Sequence, residues 1–140
     1  MEITANAVQE VTAANNVIFT DTAVQGNSSM VHREGSGLVK LRGLTTCQQR
    51  ARFKIFFSAN IALPTGGTAG PISLAISVDG EPVATTTMTV TPAAVEEYFN
   101  VASSVYLNVP AGCCSTIGVR NISGVAIDVQ NANLIAERVA

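Results

Sequence analysis

Tryptophan is absent, histidine occurs once, and charged residues make up only 13% of this 140-residue chain. An ordinary soluble domain carries roughly a quarter charged residues. Eight Lys and Arg against ten Asp and Glu give a formal net charge of −2. The scattered cations form no basic stripe, so nucleic acid is not expected as a partner. Three cysteines, Cys47, Cys113 and Cys114, lack CxxC spacing, and His32 stands alone, which leaves no ordinary zinc site. The odd count and the adjacent pair weaken a disulfide framework, so the expectation is reduced, mostly buried thiols. No run approaches the ~20 apolar residues of a membrane span. Met1 to Asn6 lacks the basic and apolar regions of a signal peptide. Neither a membrane partner nor secretion is expected, and the chain reads as made in the cytoplasm.

The residues that carry chemistry elsewhere are thinly spread. His32 with Cys47 or a serine is a conceivable nucleophile–base pair, but Val31-His32-Arg33-Glu34 reads as a polar strand end. Glu96-Glu97 are neighbours, whereas two acids that share a glycosidic bond come from separate elements. The loop around Gly66-Gly67 has neither phosphate-binding glycine spacing. Asp21, Asp79 and Asp128 stand apart, without the clustered acids of a calcium cage. No catalytic residue, metal or cofactor is therefore expected.

What is present is alternation. From Arg52 to Leu63 the odd positions Phe53, Ile55, Phe57, Ala59, Ile61 and Leu63 are all apolar, which predicts one long half-buried strand. Ile72–Val78 alternates again, with Ile72, Leu74, Ile76 and Val78 inward. Asp79-Gly80 signals a hairpin. A three-residue loop ending on Gly80 is expected, because it brings Ala84, Thr86, Met88 and Val90 onto the face of Leu74 and Ile76. Thr91–Glu97 reads as a short helical turn with Thr91 as cap and Pro92 first. Tyr98–Val109 is a strand with Phe99, Val101, Val105, Leu107 and Val109 inward. Cys113–Asn121 follows with Cys113, Ile117 and Val119 inward, then Val125–Gln130 with Val125, Ile127 and Val129 inward. The pattern slips at Asn131-Ala132-Asn133, which predicts a bulge. Shorter strands are expected at 7–11, 17–20, 30–32 and 37–42. Length favours one domain over 1–140. Nine or ten short strands at this spacing give an all-β antiparallel sandwich or jelly roll.

The order of elements resembles the trimeric jelly roll of the tumour necrosis factor and complement globular-head superfamily. The likeness rests on Asn16–Thr20 as opening strand, Gly35–Gly43, the long strand 52–63, the Asp79-Gly80-Glu81 hairpin, and 98–109 with its Val-Pro-Ala-Gly turn. It implies a homotrimer packed through the outer face of the sheet holding the long strand. Candidate interface residues are the outward Phe56, Tyr98, Ala102, Tyr106 and Ala126, since aromatic anchors among small residues suit a buried contact. The stretches 64–76, 91–100 and 129–135 are similar to small structural proteins of phages and prophages of Gram-positive gut bacteria. That second resemblance implies a virion or phage-like particle component, such as a head decoration, fibre or tail accessory, with other particle proteins as partners. The other functional class is a ligand-binding module that recognises host-surface protein or glycan through loops at 21–29 and 64–71.

Overall fold

A computed structural model of the chain describes residues 1–44 and 49–140, so Cys47 lies outside the described residues. Among them are twelve strands and one turn of 3-10 helix, Ala84–Thr86. The strands are β1 (Glu2–Ala5), β2 (Gln9–Val11), β3 (Asp21–Val24), β4 (Met30–His32), β5 (Val39–Arg42), β6 (Arg50–Ala62), β7 (Ile72–Val78), β8 (Glu81–Pro82), β9 (Met88–Val90), β10 (Phe99–Pro110), β11 (Cys114–Asn121) and β12 (Ile127–Arg138). They form two antiparallel sheets. Sheet I runs β10-β6-β12-β1-β3, with β2 also on β12. Sheet II runs β4-β5-β11-β7-β8, with β9 also on β7. The chain is an all-β jelly-roll sandwich.

The core lies between the sheets and is built from alternate residues. On β6, Phe53, Ile55, Phe57, Ala59 and Ile61 are buried, with Leu63 just beyond, as the period of two requires. Phe57 meets Phe19 edge-on, with ring centroids 6.3 Å apart. Sheet II supplies Leu41, Leu74, Ile76, Ile117 and Val119.

The bulge sits where the pattern slips. Gln130 pairs with Asn60 but Asn133 with Ser58, so β12 carries one extra residue. Asn131 takes that place with φ +54°, a conformation Asn tolerates better than most residues. Inward positions are therefore odd before it (Ile127, Val129) and even after it (Ala132, Leu134, Ala136).

Several expectations need correction. The hairpin at Asp79-Gly80 has a two-residue loop, because Val78 pairs with Glu81. Both turn residues have positive φ, 52° and 86°, the primed turn whose twist matches the strands. Ala84 is consequently exposed. Parity is recovered by the 3-10 turn, after which Leu74 pairs with Met88 and Ile72 with Val90. Thr86 locks that turn: its buried Oγ1 accepts the Ile76 N–H at 2.9 Å and donates to the Val83 carbonyl at 2.7 Å.

Residues 91–97 form bends and a turn rather than helix, with Glu96 at φ +57°. Its N–H donates to the Leu63 carbonyl, which a helical turn would not allow. Cys113 and Cys114 are free and exposed, because they lie where the chain turns from β10 into β11 at the end of the sandwich. Val125 is also exposed, in the turn before β12. Near the N-terminus, β1 and β3 are additions, and β3 occupies part of the expected 21–29 loop. Asn16 and Phe19 make isolated bridges in place of a continuous strand at 17–20.

The left-handed backbone at Asn131 gives a stability prediction. Asn131→Val is expected to cost about 1–2 kcal/mol, because a β-branched side chain fits that conformation poorly. Asn131→Gly is expected to be neutral or slightly stabilising. Urea denaturation of the two variants checks the ordering.

Candidate interaction face

One face of sheet I turns away from the core, and its side chains follow from strand register. Tyr106, Lys54 and Glu137 form one row across β10, β6 and β12. Ser104, Phe56, Ile135 and Glu2 form the next, reaching β1. Ala102, Ser58, Asn133 and Thr4 form a third, and Asn100, Asn60 and Gln130 a fourth. Arg52 opposite Asn108 and Arg50 opposite Pro110 extend the face at one end. Asp128, opposite Ala62 and Glu10, extends it at the other. On β10, β6 and β12 the middle of the face is thus apolar or uncharged, with Glu2 at its β1 margin; Arg50 and Arg52 lie at one end, ahead of the Lys54–Glu137 row, and Asp128 and Glu10 lie at the other.

The sequence-predicted residues fall into two groups. Phe56, Ala102 and Tyr106 lie on this face, with Phe56 half-buried and Tyr106 63% exposed. Tyr98 precedes β10 at the acidic end, eight residues and roughly 26 Å along the strand from Tyr106. Ala126 precedes β12 in the turn, also at that end. Sequence reading missed Ile135, which pairs directly with Phe56. The signal was available: once the bulge is placed at Asn131, alternation sends Leu134 inward and Ile135 outward.

Polar groups on the face are partly engaged. Asn100 Nδ2 donates to Asn60 Oδ1 at 3.1 Å. Asn133 Nδ2 donates to Glu2 Oε2 at 2.9 Å, while Asn133 Oδ1 is buried without a partner among the described residues. An unpaired buried acceptor costs about 1–3 kcal/mol.

At the acidic end, burial pushes the Asp128 carboxyl above its ordinary pKa, helped by the charges of Glu10 and Glu96. Burial also raises Tyr98, with Asp128 and Glu96 adding to it. Thr65 Oγ1 donates to Glu96 Oε1 at 2.6 Å, fixing that acid to the 64–71 loop. Among the described residues no group of three His, Cys, Asp or Glu side chains is placed to hold a metal ion.

His32 lies elsewhere, between the edges of the two sheets. Its Nε2 is 3.0 Å from the Ser36 carbonyl and its Nδ1 is 3.0 Å from Thr22 Oγ1. A carbonyl only accepts, so the proton sits on Nε2 and Thr22 donates to Nδ1. The ring is stacked edge-on against Phe19, with centroids 6.5 Å apart. The imidazole thus joins β4 of sheet II to β3 of sheet I through Nδ1, while Nε2 holds it to Ser36 in the connection between β4 and β5.

No protein-family model matches the sequence, and a search of curated proteins finds no match. Solved structures do match. The globular domain of zebrafish complement 1qA protein superposes with a TM-score of 0.59 over 96% of this chain and 93% of that one, at 14% identity. The C-terminal domain of EclA, a sugar-binding protein, gives 0.40 over 95% and 80% at 12% identity. Isomalto-dextranase of Arthrobacter globiformis, complexed with panose, gives 0.31 over 91% and 23% at 15% identity. At these identities the likeness shows fold alone, and the complement domain is the one of the three close enough to argue from.

Two predictions follow from these side chains. A carboxyl whose folded pKa is raised loses stability as pH climbs from the unfolded pKa through the folded one. Asp128→Asn should therefore raise the melting temperature at pH 7, with the gain vanishing near pH 3, where both states are protonated. Long-range 15N–1H NMR should report the Nε2–H tautomer of His32, and His32→Ala should destabilise by about 1–2 kcal/mol through loss of both bonds.

Proposed function

We propose that this chain is a non-enzymatic structural module that self-associates as a homotrimer through the outer face of sheet I. The observation that carries the reading is the composition of that face. Phe56 and Ile135 form an apolar pair among Ala102, Ser104, Ser58 and Asn133, on the central strands of a sheet. Small side chains allow close approach of a second copy, and the aromatic ring supplies an anchor. The choice of sheet follows the superfamily resemblance of the sequence, which implies packing through the outer face of the sheet that holds the long strand. A chain with 13% charge has reason to hide part of its surface.

The place of such a trimer on a virion or phage-like particle, assembled in the bacterial cytoplasm with other particle proteins, rests on the sequence resemblance alone. In this reading the protein binds neither nucleic acid nor membrane. The second reading, a ligand-binding module for host-surface protein or glycan, draws on the fold likeness to a complement globular domain and on the 64–71 loop beside Glu96. Rigid sheets commonly position such loops for recognition.

Light scattering coupled to size exclusion, with reductant present, tests the assembly. The expected mass is three times that of one chain, with an interface of the order of 2,000 Å2 per contact. Phe56→Arg and Ile135→Arg should each give a folded monomer, because a desolvated charge without a partner opposes the contact. A monomeric wild-type protein at tens of micromolar overturns the proposal. A glycan array with no hit across a broad panel removes the glycan form of the second reading.

A further inference from the structure

At the cationic end of sheet I the face opens into a groove of about 780 Å3, lined by Gln49, Arg50, Arg52, Asn108, Pro110 and Ala140. A second depression, of about 410 Å3, continues from it past Arg52 to Tyr106 and Val139. Arg50 and Arg52 are both exposed and stand two residues apart on one face of β6, so their backbones are about 7 Å apart. Lys54 is the next residue on that face, which makes three successive outward positions cationic. These are three of the eight cationic side chains in a chain whose net charge is negative. No acidic side chain lines the groove among the described residues. The carboxylate of Glu137 is one row further on, opposite Lys54.

The polar groups are arranged for an anion. Arg52 Nε donates to Asn108 Oδ1 in a long contact of 3.5 Å, which sets the guanidinium beside an amide whose Nδ2 is a further donor. Ala140 also lines the groove, and its main-chain oxygen accepts from the Arg52 N–H at 3.3 Å and from Arg138 Nε at 3.1 Å, so this acceptor already has donors of its own. Two planar guanidinium forks and an amide donor match the oxygens of a sulfate, phosphate or carboxylate. Pro110 gives apolar surface beside them for the body that carries the anion.

We propose that this groove is an oxyanion-binding site, with Arg50 and Arg52 as the principal ligands and Asn108 as a positioning residue. It takes either free inorganic anion or an anionic group displayed on a saccharide. The site belongs to one protomer and lies beyond the Phe56–Ile135 row, so it does not rest on the trimer.

Titration of the full chain with inorganic phosphate, followed by 15N NMR, should shift the amide signals of Arg50, Arg52 and Asn108. Arg50→Gln or Arg52→Gln should weaken binding about tenfold each, the worth of a charge-assisted contact, and the double variant should abolish it. Lys40→Gln, an exposed change on sheet II, should leave affinity unchanged. A heparin-derived hexasaccharide and its desulfated counterpart separate the two sources. Preferential binding of the sulfated form over phosphate assigns a saccharide-borne anion, and equal or weaker binding assigns the free anion. Absence of any shift at these three residues with either probe, or shifts that survive the double variant, overturns the site.

Discussion

One extra residue in β12 governs the whole of sheet I. The strand is central, flanked by β6 along its full length and by β1 and β2 on the other side. Without the bulge at Asn131, either Ile127 and Val129 or Leu134 and Ala136 would face solvent, since a one-residue slip inverts every side chain beyond it. The bulge also decides how the N-terminus is used. β2 pairs with Ile127–Val129 before it and β1 with Ala132–Ile135 after it. The break between them is held by the Asn131 N–H, which donates to the Asn6 carbonyl. Placing Ile135 outward beside Phe56 is the same event viewed from the other face.

The second sheet is joined to the first by polar contacts as well as by the core. Asn121, fully buried at the end of β11, uses its whole side chain: Nδ2 donates to the Val11 and Val125 carbonyls, and Oδ1 accepts from Ser123 N–H and Oγ. Val11 belongs to β2 of sheet I, so a single amide fixes one corner of the sandwich. His32 does the equivalent at another corner, through Thr22 of β3. A buried polar group of this kind is tolerated only when all its bonds are made, which gives each corner one arrangement. The outer face of sheet I is the contrast, because there Asn133 Oδ1 has no partner among the described residues.

The two ends of that face differ for a simple reason. Antiparallel strands place the start of β6 beside the end of β10, and the end of β6 beside the start of β12. Cations at the start of β6 therefore gather at one end with Asn108, and the acids Asp128 and Glu10 gather at the other. Between them the rows on β10, β6 and β12 around Phe56 and Ser58 carry no charge, which suits contact with another copy, and the Arg50–Arg52 end suits anions.

Sequence alone determined the all-β class, the long strand 52–63 with its buried odd positions, the bulge near 131 and the outward placing of Phe56, Ala102 and Tyr106. Each follows from a period of two over many residues, a local property that needs no knowledge of neighbours. Tertiary structure decided the rest. The Asp79-Gly80 loop length was misread because the 3-10 turn that restores parity depends on Thr86 bonding to β7, a contact distant in sequence. Four-residue strands such as β1 and β3 carry too little pattern to stand out, and they exist because β12 offers β1 a ladder to complete and β1 offers one to β3. The cationic groove was invisible for the same reason. Arg50 and Arg52 read as scattered charges until register set them opposite Pro110 and Asn108, and register belongs to the pair of strands rather than to either one.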